Sequence, residues 1–143
     1  MAFNIRVYGI LINEKNEVLL SDENRFGRKF TKFPGGGLEQ GEGLKDCLKR
    51  EFIEELQLNV EVGELLYLTD FYQQSAFDAK DQIISIYYSV RSLLTAKIKT
   101  TDKLFDFQLD EQEVHRWISL DELSEEDMTF PIDRKVAKIL SEK

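Results

Sequence analysis

The feature that most constrains this chain is an acidic helix that follows a run of glycines. Residues 36–58 read GGLEQGEGLKDCLKREFIEELQL. At 3.6 residues per turn, Glu51 faces Glu54 at i,i+3 and Glu55 at i,i+4, so the three carboxylates project within an arc of about 100°. The preceding turns of the same arc carry apolar residues. The acids therefore continue a stripe that begins apolar, and they do not lie on an obviously solvated face.

Three carboxylates on one arc of a helix need a reason. If the arc is exposed, each i,i+4 repulsion costs only about 0.2–0.5 kcal/mol. If the arc is partly shielded from water, with an effective dielectric constant near 20, the repulsion between two like charges about 4 Å apart is about 4 kcal/mol. A divalent cation removes that cost, and hard cations such as Mg²⁺ bind carboxylates together with substrate phosphates. The pattern indicates either a metal site or a solvated acidic face.

The spacing resembles the signature of the Nudix hydrolases, G-x5-E-x7-R-E-U-x-E-E-x-G-U, in which U is apolar. The matching residues are Gly36, Glu42, Arg50, Glu51, Phe52, Glu54, Glu55 and Leu58. Gln57 stands where the family has its last glycine. Because that glycine ends the helix in the left-handed conformation, a residue with a side chain is expected to lose roughly 1–2 kcal/mol there.

This resemblance implies a hydrolase that uses Mg²⁺ or Mn²⁺ to cleave the pyrophosphate linkage of a nucleoside diphosphate linked to another moiety. The metal ligands that it implies are Glu51, Glu54, Glu55, the carbonyl of Gly35 and an acid outside the signature. Arg50 would orient the carboxylates. Glu42 would either hold the ligands in position without touching the metal or act as an additional ligand. Glu54 is the first candidate to deprotonate or aim the attacking water, with Glu51 second.

The acid outside the signature is assigned to Glu111, six residues before Trp117. Its neighbours Asp110 and Glu113 stay open as alternatives. Families with this signature often place such a ligand or base downstream of the helix, and the resemblance alone does not choose among these three acids.

The charge distribution limits the partners. A net charge of −8 repels the backbones of long nucleic acids, so we expect small phosphorylated substrates. One basic cluster precedes the glycines; it consists of Arg25, Arg28, Lys29 and Lys32. The cluster is interpreted either as a solvated loop or as a set of contacts to substrate phosphate.

Periodicity predicts an α+β fold. The predicted strands are 3–12 with a hairpin partner at 17–20, 30–33, a hairpin of 60–72 and 82–93, 96–100 and 113–118. The first predicted helix runs from Gly43 or Leu44 to Leu56, and a short helix follows a capping box at Ser119–Glu122. A last helix begins at Pro131 and places Ile132, Val136, Ile139 and Leu140 on one face. Strands around one helix suggest a mixed sheet covered on both sides. This agrees with the α/β/α sandwich and central signature helix that the resemblance implies.

A chain of 143 residues is expected to form a single domain over residues 1–143. No apolar run approaches the roughly 20 residues of a membrane span, and the amino terminus alternates like a strand, so the predicted location is the cytoplasm. The single cysteine, Cys47, occupies an apolar helical position and is interpreted as a core residue. The sequence leaves the oligomeric state open, a homodimer included.

Other functions were weighed against the hydrolase. The glycines lack the Gly-Lys-Ser or Gly-Lys-Thr of a nucleotide-triphosphatase loop and the third glycine of a dinucleotide fingerprint. His115 is assigned a surface or packing role. The aromatic residues Phe105, Phe107 and Trp117 are expected in the core, whereas Tyr72 or Phe77 could stack on a base.

Two further functions come from relatives of the same fold. A non-catalytic sensor of a nucleotide derivative stays open as the alternative, although the acid set is intact. An isomerase acting on a small diphosphate would need catalytic residues that the sequence does not show. Substrate choice is assigned to the segments 22–32, 73–81 and 104–113. The proline that some ADP-ribose-type relatives carry downstream of the signature is missing, since only Pro34 and Pro131 occur, and this is weak evidence against that type of substrate.

Overall fold

The computed structural model describes residues 2–142, which contain seven strands and two α-helices. In chain order these are β1 Phe3–Leu11, β2 Glu17–Arg25, β3 Arg28–Lys32, β4 Gly35–Gly37, α1 Leu44–Leu56, β5 Glu61–Leu68, β6 Gln82–Arg91, β7 Glu113–Ser119 and α2 Pro131–Ser141. They belong to two compact units that alternate along the chain. The first unit extends to Leu11 and resumes over Pro34–Leu94, and the second comprises Ile12–Phe33 and the chain from Thr95 onward. The single domain over residues 1–143 stays a prediction.

The first unit is built on a four-stranded mixed sheet in the order β4-β1-β6-β5. The central strands β1 and β6 run parallel, with Tyr8 opposite Tyr87, and the two outer pairs are antiparallel. The chain between the two parallel strands contains β2, β3, β4, α1 and β5, which is well beyond the minimum that a parallel pair needs. The mixed sheet and the α+β class predicted from the sequence are confirmed.

Helix α1 packs on β1 through a close contact between a ring and a glycine. Phe52 is fully buried, and a Cβ atom added to Gly9 would lie 2.7 Å from its ring. Leu48 and Cys47 are buried on the same face of the helix. The apolar stripe that precedes the acids therefore lies against the sheet, and this contact fixes the orientation of the whole helix.

The end of α1 keeps the geometry of a glycine without having one. Gln57 adopts φ 49° and ψ 38°, the left-handed conformation. Its N–H donates to Ile53 O at 3.0 Å, and the N–H of Leu58 donates to Phe52 O at 3.3 Å. These two bonds close the helix as a terminal glycine would, so the expected conformational cost falls on the Gln57 backbone.

The second unit contains the antiparallel sheet β3-β2-β7 and helix α2. The central strand β2 carries Val18, Leu19 and Leu20, all fully buried. Helix α2 begins at Pro131 as predicted and buries Ile132, Val136 and Leu140. Of the predicted apolar face, Ile139 is only half-buried, and Ala137 is fully buried instead.

The predicted hairpin of residues 3–12 and 17–20 is reduced to a single antiparallel bridge between Ile12 and Val18. Strand β2 has two edges, and both are taken within the second unit, by β3 at residues 21–25 and by β7 at residues 17–23. Strand β2 also continues to Arg25, so segment 22–32 is mostly two strand arms and not a loop. The turn at residues 13–16 does form, with the Asn13 N–H donating to Glu17 O at 2.9 Å, but β1 itself pairs with β4 and β6.

Two smaller predictions also fail. The strand predicted at 96–100 is a 3₁₀ turn at Thr95–Lys97. The capping box at Ser119–Glu122 starts no helix; the 3₁₀ turn lies at Glu125–Asp127, where the Asp127 carboxylate accepts the N–H of Ser124 at 2.8 Å. Both capping patterns fit the local sequence, and the later one follows directly on the buried residue Leu123. The predicted helix at 44–56, the β5–β6 hairpin and β7 are confirmed.

Within residues 2–142, neither helix is both long enough and apolar enough to cross a membrane.

Candidate metal centre

One guanidinium gathers the acids of the signature in the first unit. Arg50 Nε and Nη2 donate to both carboxylate oxygens of Glu42, at 3.0 and 2.7 Å. Its Nη1 donates to Glu51 Oε1 at 2.8 Å and to Glu54 Oε2 at 3.1 Å, and Nη2 also donates to Gly37 O at 3.1 Å. Because Glu51 and Glu54 share one nitrogen as donor, their carboxylates lie side by side.

Electrostatics at this guanidinium favour the ionised form of Glu42. The hydrogen bonds from Arg50 and then from the Glu39 N–H lower the pKa of Glu42 to about 2. The same bond to Glu42, followed by that to Glu51, raises the pKa of Arg50 above its ordinary value. Glu42 is thus fully engaged by Arg50 and the backbone. This supports a role behind the ligands better than a role as a ligand.

Gly36 is required by the position of Glu51. A Cβ atom added to Gly36 would lie 2.6 Å from Glu51 Cδ, so the carboxylate rests directly on the glycine backbone. Gly37, the next residue, has room: its added Cβ would lie 3.5 Å from Arg6 Nη1. The first glycine of the signature is therefore a place of close approach, as the Gly-rich sequence suggested.

Gly35 is required for a different reason. Its φ of 147° is rarely adopted by residues with a side chain, and an added Cβ would lie 2.7 Å from Tyr8 Cα. Strand β4 can pair with β1 here only because Gly35 lacks a side chain. The carbonyl of Gly35 stays a predicted ligand. Residues 35–37 form the short extended strand β4, in which Gly35 alone has the unusual φ.

The acids of α1 differ in exposure. The side chain of Glu51 is 13% exposed and that of Glu54 is 57% exposed. Glu55 is half-buried one turn after Glu51. Carboxylate oxygens of these three residues are hard donors on one side of the helix, which is the chemistry that Mg²⁺ and Mn²⁺ prefer. The donor set therefore fits a divalent cation.

Glu111, the predicted ligand outside the signature, lies in the second unit. Its Oε1 accepts the N–H of Phe26 at 2.9 Å, and its backbone has a φ of 56°. The contact closes the turn between β2 and β3. One carboxylate oxygen is thus engaged in the turn, and the metal role of Glu111 stays a prediction.

The four basic residues of the predicted phosphate cluster separate into two pairs. Arg25 Nε lies 2.9 Å from Glu23 Oε1, and Lys32 Nζ lies 2.9 Å from Glu23 Oε2. Lys32 is buried, whereas Arg28 and Lys29 are exposed at the β2–β3 turn. Two of the four cations therefore neutralise an internal acid, and contact with phosphate stays a prediction for the cluster.

Sequence reasoning missed a buried group of ionisable residues around Glu23. Burial raises the pKa of Glu113 to about 7, and the nearby Glu23 adds to that rise. Burial alone would raise the pKa of Glu23 as well, but the charge of Lys32 and hydrogen bonds from Glu113, Lys32 and Arg25 lower it to about 2. The raised pKa favours the protonated form of Glu113, which donates a hydrogen bond to the ionised Glu23.

His115 completes this buried group. Burial, followed by the charge of Lys32, lowers its pKa to about 4, and its Nε2 lies 3.3 Å from Glu113 Oε1. It is 6% exposed, so of the two assigned roles the surface role is wrong, and the packing role stays a prediction. The signal in the sequence was the alternation of β2, which places Ser21 and Glu23 on the same side as buried Leu19.

The remaining assignments concern packing. Cys47 is fully buried, and burial raises its thiol pKa to about 12, which confirms a core residue and not a nucleophile. Phe105 and Phe107 stack at 5.9 Å and are half-buried, as is Trp117. Tyr72 and Phe77 are exposed, and base stacking by either stays a prediction.

Comparison with known proteins identifies the family. The sequence model of the NUDIX domain matches residues 2–139, and the chain belongs to the Nudix family. A mouse protein, nucleoside diphosphate-linked moiety X motif 6, is 27% identical over 132 residues, which are 90% of this chain. The chain spans only 38% of the length of that curated relative.

Solved structures show the same fold. A MutT protein from Methanosarcina mazei Go1 matches with a TM-score of 0.70 at 20% identity, over 98% of this chain and 94% of the other. A NUDIX hydrolase from Nitrosomonas europaea matches with a TM-score of 0.66 at 20% identity, over 92% and 84% of the two chains. The predicted Nudix family and fold are therefore confirmed.

Proposed function

We propose that this protein is a metal-dependent pyrophosphohydrolase that cleaves a nucleoside diphosphate linked to another moiety. The observation that carries the proposal is the Arg50 clamp, which places the carboxylates of Glu51 and Glu54 side by side. Membership of the Nudix family and the name of the mouse relative, nucleoside diphosphate-linked moiety X motif 6, support the substrate class. The substrate is a small phosphorylated molecule.

Glu51, Glu54 and Glu55 would hold Mg²⁺ or Mn²⁺, together with the Gly35 carbonyl, and Glu111 stays the outside candidate that the family resemblance implies. A bound divalent ion supplies charge neutralisation at the phosphates and lowers the pKa of a coordinated water. Arg50 holds the carboxylates of Glu51 and Glu54 in place, because each accepts a charge-assisted hydrogen bond from its Nη1. Glu42 holds the Arg50 guanidinium in place through its bidentate contact with Nε and Nη2.

Glu54 is proposed to take the proton of the attacking water or to aim that water, with Glu51 as the second candidate. Glu54 has the more exposed side chain of the two, so a solvent molecule can reach its carboxylate. Glu51 is held between Arg50 and Gly36, which suits a fixed ligand. These different surroundings support one mobile and one fixed carboxylate.

The test is hydrolysis of a substrate panel with Mg²⁺ by matched variants. Nucleoside triphosphates, dinucleoside polyphosphates and nucleotide sugars would be assayed for phosphate or pyrophosphate release. We expect Glu54→Gln and Glu55→Gln each to reduce kcat by about 10²-fold or more while the melting temperature changes little. Glu64→Gln, an exposed acid on β5, is the control and should leave kcat unchanged.

Unchanged metal-dependent turnover in both signature variants would contradict the proposal. Saturable nucleotide binding without turnover by the unmodified protein would instead favour the sensor, and conversion without release of phosphate would favour the isomerase. The cytoplasmic location and a homodimer stay predictions from the sequence. Size-exclusion chromatography with light scattering tests the second of these.

A further inference from the structure

The second unit contains a groove that the proposed hydrolysis does not use. Its volume is about 450 Å³, within the range of small-molecule sites. The main lining residues are Thr31, Leu104, Phe105, Arg116, Met128 and Thr129. The register of the sheet places Thr31 opposite Asp22, and Arg116 opposite Leu20. The groove therefore lies on the face of the sheet opposite to the one that carries Glu23, Lys32 and His115.

A single buried carboxylate organises this groove. Asp22 is fully buried, and its Oδ2 accepts Arg116 Nε at 2.8 Å and the Phe105 N–H at 3.2 Å. Its Oδ1 accepts Thr31 Oγ1 at 2.7 Å. Asp22 thus fixes three of the residues that line the groove. Binding sites are commonly prepared in this way, by a buried residue that holds the contacting ones.

Two of the lining residues are presented to the groove in a specific way. Phe105 is held at φ 53°, a left-handed conformation that is costly for an aromatic residue, and its ring is stacked on Phe107 at 5.9 Å. The Arg116 side chain is 12% exposed and commits its Nε to Asp22. Within the described chain its two Nη groups make no other hydrogen bond, so they remain as donors for a ligand.

The charges of the groove select the class of ligand. Asp22 balances the positive charge of Arg116. Glu126 and Asp127 also line the groove and add negative charge. A phosphate or polyphosphate would be repelled by these acids. An uncharged planar ring is favoured instead, with two adjacent hydrogen-bond acceptors for the Nη groups, N–H groups for the carboxylates and a face for Phe105.

We propose that this groove binds a 6-oxopurine base. The O6 and N7 atoms of such a base form the acceptor pair that a guanidinium contacts with two parallel hydrogen bonds. The N1–H and N2–H groups of guanine are donors that can reach a carboxylate. The Phe105 ring stacks on the base, and Leu104 and Met128 complete the apolar wall. This site is distinct from the signature helix and does not depend on the proposed hydrolysis.

The test is a titration of the metal-free protein with guanosine, followed by the amide NMR signals of Thr31, Phe105 and Thr129. Guanosine has no phosphate, so hydrolysis and metal binding cannot contribute to the result. We expect saturable shifts at these amides. Removal of N7 in 7-deazaguanosine should weaken binding about tenfold, and adenosine, which presents a donor in place of O6, should be weakened at least as much.

Arg116→Lys keeps the ion pair with Asp22 but loses the two parallel donors, and it should also weaken guanosine binding about tenfold. Arg134→Lys, at an exposed position on α2, is the matched control and should bind like the unmodified protein. Absence of saturable shifts, or equal affinity for guanosine and 7-deazaguanosine, would overturn the proposal. The ligand comparison uses the unmodified protein, so it decides the question even if Arg116→Lys does not fold.

Discussion

The two units of this protein each place several acids around a cation, and they solve the resulting electrostatic problem differently. In the first unit, Arg50 holds carboxylates that are partly open to solvent, up to 57% exposed at Glu54. In the second unit, Lys32 and Glu23 are both about 95% buried, and burial raises the pKa of neighbouring Glu113 to about 7. The first arrangement leaves negative charge for a bound cation to use, and the second balances its charge internally.

This difference teaches what burial does to an acidic cluster. Near solvent, ionised carboxylates can lie side by side if a guanidinium bridges them, because water screens the remaining repulsion. In the interior, a second ionised carboxylate would be too costly, so a proton is retained instead. The four predictions that follow test this contrast between the two units.

The largest effect is expected from removing the buried cation. Lys32→Met should destabilise the fold by about 3 kcal/mol, because it leaves buried Glu23 without its main positive partner. Arg50→Met should cost only about 1 kcal/mol, since water can solvate the carboxylates that it releases. Urea unfolding at pH 7 measures both. Equal losses for the two variants would show that burial does not separate the clusters.

The second prediction concerns the close approach of Gly36 to Glu51. Gly36→Ala should displace the Glu51 carboxylate and reduce metal-dependent kcat/KM about 10²-fold, because a ligand would leave its position. Gly37→Ala is the matched control. Its added Cβ meets Arg6 Nη1 at 3.5 Å, an ordinary contact, and activity should be nearly retained. Similar losses in both variants would assign the effect to strand β4 as a whole and not to Glu51.

The signature helix was predictable because its features are local. Helix bounds, the apolar stripe and the spacing of Glu51 and Glu54 all follow from a period of 3.6 residues. The role of Arg50 as a bridge also follows, since Glu54 is four residues away on the same face. The close contact between Gly36 and Glu51 was foreseen only as a general freedom of glycine, because it depends on where β4 pairs.

The arrangement of the second unit was less predictable because it depends on pairings that are distant in sequence. Strand β2 was expected to pair with its neighbour in sequence, and it pairs with β7 nearly 100 residues later. Only that pairing brings Glu113 and His115 to Glu23. Local turn chemistry at residues 13–16 could not reveal this, since a turn carries no information about strands that lie far away in sequence.

The third prediction uses pH to separate the two clusters. The folded pKa of Glu113, about 7, lies above its ordinary value of 4.5, so the stability it contributes is present below pH 4.5 and is lost as the pH rises through 7. Glu113→Gln keeps an N–H donor for Glu23 but cannot ionise. The variant should match the unmodified protein at pH 4.5 and be more stable by about 1–3 kcal/mol at pH 8.

Urea unfolding at several pH values measures this difference, with Glu122→Gln, an exposed acid of the second unit, as the control. The control should follow the unmodified protein at every pH. If Glu113→Gln also shows a constant offset from pH 4.5 to 8, the carboxyl of Glu113 does not hold a proton in the folded state. The two clusters would then differ in burial but not in whether one of their carboxyl groups retains a proton.

The smallest effects are expected where each unit uses a left-handed residue. Gln57 ends α1 at φ 49°, and Gly27 turns between β2 and β3 at φ 73° with open space around it. Gln57→Gly should stabilise the protein by about 0.5–1 kcal/mol, because relief of the backbone strain exceeds the added flexibility of the unfolded chain. Gly27→Ala should destabilise it by about 1 kcal/mol for the converse reason. Thermal unfolding at constant pH measures both. A destabilised Gln57→Gly variant would mean that contacts of the Gln57 side chain contribute more to stability than the backbone strain removes. The departure from the family signature would then stabilise this protein and would not be a tolerated defect.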